Sequence, residues 1–351
     1  MFCDVLIVGC GPAGSSAAFV ASKAGAETLV IEKKHSIGFP IQCAEFIPKL
    51  LLNEINITRS SIIQETKSIK IYLKDEVVAE FNFPGYMLNR SIFDKELAAY
   101  ASNSGAKILI NSHCLSRRGS KVLVKRRGEV FEISPKVIIG ADGPQSTVGS
   151  WVNGRNKEFL VGLQYELPLV RQLDYLEVHF NDAIVGGYGW LFPKGRLANV
   201  GIGIKGSKDF KTSILIEVLN EFSDSLRKMG KIVNTPLSFT SGLIPIGGPL
   251  RKTVIDNIIL TGDAAGQIHP ITGGGIPQAV ICGHIAGKIA AQSVKEENLD
   301  ILYDYEKMWQ RIYGKELERA QKQRKLFESN WKRLDFNLIK KCWPSFREYY
   351  E

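Results

Sequence analysis

The spacing of apolar and polar residues changes period several times along the chain. Asp4–Gly9 is an almost unbroken apolar run and predicts a strand buried on both faces. Glycines follow, then a small-residue helix, SSAAFVASKAGA, and a second strand, ETLVIE, ending at Glu32. A polar, irregular stretch holds Gly38, Pro40 and Cys43, after which IPKLLLNEI predicts a helix. SIKIYLKDEVVAEFNF alternates and breaks at Lys74–Asp75, which predicts an antiparallel hairpin. LNRSIFDKELAAYASNSGA carries apolar residues three and four apart and predicts a helix ending at Gly105. AKILINSHCLS, KVLVKRRGEVFEIS and VIIGADG read as strands, the middle one a hairpin around Arg126–Gly128. Between about 151 and 250, alternating aromatic patterns take over, as in LDYLEVHF and GYGWLFPKGRLANVGIGI, with one helix, ILIEVLNEFSDSLRKMG. NIILTGDAAG returns to strand-then-turn, IPQAVICGHIAGKIAA is a long helix, and everything beyond Leu299 is charged, aromatic and helical.

These elements predict an α/β protein: a Rossmann-like nucleotide-binding domain, an interleaved antiparallel-sheet substrate domain, and a C-terminal helical segment. The expected boundaries are 1–66, 88–150 and 251–298 for the first, 67–87 and 151–250 for the second, and 299–351 for the third. A chain of 351 residues is long enough for more than one domain, and its 44% hydrophobic content is ordinary for a globular protein. No apolar run is long enough to span a bilayer, and the apolar start contains Asp4 without a basic leader, unlike a secretion signal. The six cysteines show neither a Cys-x-x-Cys pair nor zinc-ligand spacing, so reduced thiols, a cytoplasmic location and no metal site are expected. A net charge of +9 favours anionic partners such as phospholipid headgroups or NADPH. Nucleic acid is not expected, because no basic docking motif is present.

Two glycine-rich segments carry the chemistry. In the first, Gly9 permits a tight turn, Gly11 lets backbone approach a phosphate, and Gly14 lets helix and strand pack closely. The helix start at Pro12 and Ala13 then faces a pyrophosphate with its partial positive charge. Glu32, 18 residues beyond Gly14 and followed by Lys33, stands where an acid accepts ribose hydroxyls. The second segment runs from Gly262 to Ala279. Asp263 follows a buried strand, and Pro270, Gly273, Gly274, Gly275 and Ile276 lead into the long helix. Such a helix start stabilises negative charge on a reduced flavin. One dinucleotide touched by both segments reads as FAD. A capping aspartate with a plain loop is the bland alternative for Asp263.

With GADG at Gly140–Gly143 added, the chain resembles the flavoprotein superfamily of aromatic-ring hydroxylases, flavin halogenases and geranylgeranyl reductases over about its first 300 residues. Ring hydroxylases usually carry His after GDAA, where Gly266 stands. PIQCAE at Pro40–Glu45, LNRSIFD, the Y-x-W-x-F-P run of Tyr188, Trp190, Phe192 and Pro193, and GDAAGQIHPITGGGI are similar to the geranylgeranyl reductase family. The resemblance implies that Cys43, Ala44 and Arg90 approach the FAD, that Asp142 and Gly143 support its pyrophosphate, and that Asp263 meets the ribityl chain. Val185 in place of a common proline and Phe46 in place of a small residue depart from the family pattern on the substrate side, and the chain is short at its C-terminus.

Tyr188, Trp190 and Phe192 alternate on a strand and share one face, as a slot for a polyprenyl chain or as plain core. Cys43 is a proton donor or an inert thiol, Glu45 a proton relay or a surface acid, and His269 a proton source or a loop hydrogen bonder. The expected reaction is hydride transfer from reduced FAD to an isolated C=C of a prenyl lipid, with NAD(P)H or ferredoxin as donor. The alternatives are an NAD(P)H- and O2-dependent monooxygenase acting on an aromatic substrate, and a non-enzymatic electron-transfer partner. The basic, aromatic tail either lies peripherally on a membrane or packs on its own domain.

Overall fold

The computed structural model describes residues 1–206, 212–233 and 235–351. In chain order the elements are β1 (Phe2–Val8), α1 (Pro12–Lys23), β2 (Thr28–Ile31), β3 (Phe46–Pro48), β4 (Ile62–Leu73), β5 (Glu76–Leu88), α2 (Arg90–Asn103) and β6 (Lys107–Leu109). There follow β7 (Ser112–Arg118), β8 (Lys121–Arg126), β9 (Glu129–Gly140), α3 (Thr147–Trp151), β10 (Phe159–Pro168), β11 (Tyr175–Phe180), β12 (Tyr188–Lys194) and β13 (Leu197–Lys205). The last are α4 (Thr212–Lys228), β14 (Ser238–Pro245), β15 (Val254–Ile255), β16 (Ile258–Leu260), α5 (Ile276–Lys295), α6 (Asp304–Trp309), α7 (Lys315–Ser329) and α8 (Phe336–Cys342). They form two compact units: Met1–Phe39, Ser91–Lys157 and Gly247–Arg319 in the first, Pro40–Arg90, Glu158–Ile246 and Ala320–Glu351 in the second.

The first unit is built on a parallel sheet, in the order β16-β9-β1-β2-β6, with β15 antiparallel at one edge. Val5–Val8 pairs with Thr28–Ile31 on one side and Val137–Gly140 on the other, so β1 is central and its apolar run is buried on both faces. Val5 and Ile7 pack with Ala17 and Ala18 of α1 and Ile285 and Ile289 of α5. Leu6 and Val8 pack the other way, against Val122 and Val124 of the β7–β8–β9 ribbon. β9 is one strand that serves both the ribbon and the parallel sheet, where two strands were expected.

Helices α1 and α5 touch through bare backbone. A Cβ on Gly283 would stand 2.4 Å from the Ala13 carbonyl oxygen, and one on Gly287 would stand 2.2 Å from that of Ala17. The two contacts advance together, so the helices run parallel. Ile276 precedes Gly283 by seven residues and Pro12 precedes Ala13 by one. At 1.5 Å per residue, α5 therefore starts about 9 Å ahead of α1.

The second unit is a sheet in the order β14-β10-β13-β12-β11-β4-β5-β3, antiparallel except where β11 meets β4. Leu215, Leu219, Phe222 and Leu226 of α4 fall on one helix face and pack with Leu163, Leu191, Val200 and Ile202 from one side of the sheet. The hairpin expected at Lys74–Asp75 is present, with both residues at positive φ. IPKLLLNEI is not a regular helix. Phe46–Pro48 pairs with β5, and only a 3-10 turn follows over Lys49–Asn53. Residues 40–66 belong to this unit, apart from the nucleotide-binding elements with which they were grouped from sequence.

The C-terminal region is a set of short helical pieces rather than one amphipathic helix. Trp309 is buried in the first unit, and Phe327, Trp331, Trp343, Phe346 and Tyr349 in the second, so these rings face protein rather than solvent. Among the described residues no helix is long and apolar enough to cross a membrane, and no cluster of His, Cys, Asp and Glu is placed to hold a metal ion.

Candidate active site

In the first unit, Gly9 has φ +99 and no room for a side chain: a Cβ would stand 2.3 Å from the Ala141 oxygen. A Cβ on Gly14 would stand 1.9 Å from the Gly9 oxygen, so the helix can sit on the turn only with glycine there. Above Gly11 nothing lies within 4 Å. Gly11 caps α1 without a side-chain hydrogen bond, and Pro12 opens the helix. Open space over an uncapped helix start, with backbone amides pointing outward, fits a pyrophosphate. Buried Glu32 accepts the Cys10 amide on Oε2 at 2.8 Å and the Lys34 amide on Oε1 at 2.8 Å. Each oxygen keeps a lone pair for a ribose hydroxyl. Lys33 beside it is exposed.

The late segment is brought to the same unit. Gly262–Ala265 forms a 3-10 turn after β16, and Gln267 closes it, accepting the Gly262 amide at 2.9 Å while its amide nitrogen donates to Tyr305 at 3.0 Å. Asp263 lies beside the start of α5: a Cβ on Gly275 would be 3.3 Å from its Oδ1. Gly275 caps α5, again with no side-chain hydrogen bond. Pro270, Gly273 and Gly274 form the loop leading into Ile276, with Gly273 at φ +64. Both ring nitrogens of His269 are engaged. Nδ1 accepts from the Ile271 and Thr272 amides, both at 3.3 Å, and Nε2 faces Glu316 at 3.3 Å. An accepting Nδ1 puts the proton of the neutral ring on Nε2. Gly266 has φ +68, and a Cβ there would meet the Gly248 oxygen at 2.4 Å, so histidine does not fit where ring hydroxylases carry it.

The Asp142 carboxylate accepts from Ser146 Oγ at 2.5 Å, from the Thr147 amide at 2.7 Å and from the Val148 amide at 3.2 Å, closing the turn into α3. Burial raises its pKa despite these bonds. Gly143 follows at φ +82.

In the second unit, the segment 41–45 is laced to the sheet. Thr240 Oγ1 donates to the Ile41 oxygen at 2.7 Å, Gln164 Nε2 to the Cys43 oxygen at 3.2 Å, and Asn199 Nδ2 to the Ala44 oxygen at 3.1 Å. Glu45 is no surface acid; it is 1% exposed. Its Oε1 accepts the Arg90 amide at 3.0 Å, and its Oε2 accepts Asn199 Nδ2 at 3.0 Å and pairs with Lys194 Nζ at 2.6 Å. These bonds hold Glu45 at φ +68, a left-handed conformation that a non-glycine residue adopts only under constraint. Burial opposes the charge on Lys194, but the Glu45 and Glu166 carboxylates outweigh it and hold the ammonium above its ordinary pKa. Cys43 is half-buried and its sulfur accepts the Glu45 amide at 3.2 Å. Burial pushes its thiol up, outweighing the Arg90 guanidinium that pulls it down. The thiol form therefore prevails at neutral pH.

Tyr188, Trp190 and Phe192 share the face of β12 opposite α4, and the neighbouring strands show glycines there. Gly203, Gly162 and Gly242 stand in register across β13, β10 and β14, in line with Tyr188. Gly201 faces Trp190, whose ring lies 2.4 Å from where a Cβ would be, and Trp190 Nε1 donates to Gln164 Oε1 at 2.9 Å. Gly203 is buried, yet a Cβ on it would meet only Leu160 and Trp190 within 4 Å. The face is thus a glycine floor between Leu160 and Ile244 on one side and Gln164 and Trp190 on the other, with Gln42 lying over its Gly242 end. Phe192 stands apart, 6.2 Å from Phe46. Phe46 itself lies on Gly85, where a Cβ would be 2.3 Å from its ring. The glycine floor and the side chains of Gln164, Lys194 and Asn199 were not anticipated. The glycines are visible as GIGI, but only strand register aligns them with Gly162 and Gly242.

A model of the geranylgeranyl reductase catalytic domain matches residues 160–242, which include this face, and one of FAD dependent oxidoreductases matches residues 4–38. A digeranylgeranylglycerophospholipid reductase of Methanococcus aeolicus is 39% identical over 341 residues, covering 93% of this chain and 86% of the relative. A geranylgeranyl bacteriochlorophyll reductase-like protein from Thermoplasma acidophilum superposes with a TM-score of 0.86 at 30% identity, covering 97% of this chain and 90% of that one. A probable FAD-dependent monooxygenase from Pseudomonas aeruginosa shares the fold alone, with a TM-score of 0.69 at 17% identity over 94% of this chain and 97% of the other. The cradle of the first unit, the Cys43–Glu45 segment of the second and these similarities agree: the chain belongs to the geranylgeranyl reductase family of FAD-dependent oxidoreductases.

Proposed function

We propose that this enzyme saturates isolated C=C bonds in the polyprenyl chains of a glycerophospholipid. The observation that carries the reading is the row of Gly242, Gly162 and Gly203 ending at Tyr188, a strip of sheet without side chains on the face that carries Trp190. When bound, reduced FAD supplies the hydride. The uncapped starts of α1 and α5 hold the dinucleotide at its pyrophosphate and at its flavin end, about 9 Å apart along the helix axis. Glu32 takes the adenosine ribose and Asp263 the ribityl hydroxyls. Cys43 holds a proton at Sγ for the second carbon of the double bond. Glu45, tied to Lys194, Asn199 and the Arg90 amide, positions that thiol rather than touching substrate. The donor is NAD(P)H or ferredoxin, and a cytoplasmic enzyme with peripheral membrane contact suits a lipid substrate.

The test is incubation of dithionite-reduced holoenzyme, without oxygen, with digeranylgeranyl glycerophospholipid. Mass spectrometry is expected to show stepwise gain of hydrogen pairs, abolished or strongly slowed in Cys43→Ala. Absence of saturation with any polyprenyl lipid removes the proposal. Oxygen-dependent insertion of an oxygen atom puts a monooxygenase in its place.

A further inference from the structure

The aromatic C-terminal segment has a definite place in the second unit. Trp343 stands perpendicular to two rings at once: its centroid is 5.2 Å from that of Tyr188 at 83° and 5.4 Å from that of Phe180 at 84°. Tyr188 and Phe180 lie at the end of the glycine row, so Trp343 stands where that floor stops. The stop is braced from behind. Arg324 is buried, donates from Nε to Glu328 at 2.7 Å and reaches the Gly186 oxygen, and Glu328 in turn pairs with Lys205. Phe327 stands edge-on to Phe180 at 5.8 Å. At the other end the floor meets the edge strand β14, where the Gln42 side chain lies 3.5 Å from a Cβ on Gly242. From Gly242 to Tyr188 is three strand intervals, about 14 Å.

We infer that Trp343 is the end wall of the prenyl channel and sets the length of chain the enzyme accepts. The inference rests on the proposed lipid reduction and adds a specificity-determining residue to it. A chain lying over Gly162 and Gly203 is flanked by Leu160 and Trp190, with Gln42 at the β14 end, and its tail abuts Tyr188 and Trp343. One further isoprene unit has no space, because the Trp343 ring is wedged between Tyr188 and Phe180, and Phe180 is in turn packed by Phe327 of α7. A wall made of one large apolar ring discriminates by steric exclusion, the one means by which an apolar pocket rejects a longer homologue.

The test compares glycerophospholipids carrying geranylgeranyl chains with the same lipids carrying geranylfarnesyl chains, one isoprene unit longer. Wild-type holoenzyme is expected to prefer the shorter chain by at least about tenfold in kcat/KM. Trp343→Ala is expected to cut that preference to about threefold or less, through a lower KM for the longer lipid at similar kcat. Trp343→Phe is expected to restore most of the preference. Should Trp343→Ala fail to retain FAD or to melt cooperatively, Trp343→Leu is read in the same way. An unchanged preference in a folded Trp343→Ala or Trp343→Leu enzyme overturns the inference, as does a wild type that reduces both lengths equally. A wild type that saturates neither lipid overturns the proposed function itself, and the end wall with it.

Discussion

Replacing both Gly283 and Gly287 with alanine sets two effects of opposite sign against each other. Inside a helix, alanine is favoured over glycine by about 1 kcal/mol per site, so propensity alone predicts a more stable protein. The packing predicts the reverse. The new Cβ atoms would sit 2.4 and 2.2 Å from the backbone oxygens of Ala13 and Ala17. Reaching ordinary contact requires α5 to retreat from α1 by about 1 Å, and no rotamer change relieves a clash with backbone. Overpacking costs about 1–3 kcal/mol per site, the upper end applying where the obstacle is main chain. The expected net loss for the pair is about 2–4 kcal/mol, seen as a fall in Tm of about 2–4 °C for each kcal/mol. The same retreat changes the spacing of the two helix starts, so FAD is expected to bind at least about tenfold more weakly, about 1.4 kcal/mol. Thermal melts and titration of the apoprotein, followed by quenching of flavin fluorescence, measure both. A double variant that melts higher than the parent and keeps its FAD affinity would falsify the reasoning, because propensity would then have won.

Three further outcomes follow from local geometry. Gly266→His places a side chain at φ +68 against the Gly248 oxygen, and is expected to lower Tm and FAD occupancy in a purified-protein melt without any gain of oxygen-dependent NADPH consumption. Glu45→Gln leaves Lys194 with Glu166 alone. A lysine whose pKa is raised on folding stabilises the protein below its ordinary 10.5 and loses that contribution as pH climbs through the folded value. Urea melts from pH 9 upward should therefore show a smaller alkaline decline in the variant, and Glu45→Gln with Lys194→Met should cost less than the sum of the single changes. His179 is buried against Glu177 at 2.9 Å and stacked on Tyr72, and burial holds its pKa below the ordinary 6.5. The folded state therefore holds this proton less readily than the unfolded chain, so stability falls as pH drops below 6.5. Glu177, held below 4.5 by His179 and Lys231 despite burial, extends the loss to lower pH. His179→Gln is expected to flatten the pH dependence of Tm between 6.5 and 4.5; an unaltered slope would place the acid sensitivity elsewhere.

The parallel-sheet half was legible because its constraints are local. Gly9 turns at positive φ and Gly14 sits directly on Gly9, both within a few residues, and a central strand such as Val5–Val8 must be apolar throughout. The late segment was legible for the same reason, although the fit of α5 to α1 through Gly283 and Gly287 was hidden among many small residues. The second half was less so. Glu45 looked like a surface acid because its partners, Lys194 and Asn199, lie about 150 residues away, and nothing nearby announces a buried pair. IPKLLLNEI has helical spacing, but Phe46–Pro48 gains more from pairing with β5 and covering Gly85. The tail's aromatics carry the pattern of an interfacial helix, and only the receiving rings of Phe180 and Tyr188 show what they cover.

The lacing of residues 41–45 onto β10, β13 and β14 also bears on how such enzymes diversify. The proposed proton donor and the channel floor are inherited together, as one mechanical piece, although the sequence places Cys43 directly after the nucleotide-binding motif. A chimera that exchanges only 158–246 with a relative would separate residues 41–45 from their anchors, Thr240 on Ile41, Gln164 on Cys43 and Asn199 on Ala44. Transplanting a new chain preference therefore calls for moving Pro40–Arg90 and Ala320–Glu351 along with the sheet, while the nucleotide-binding half stays in place.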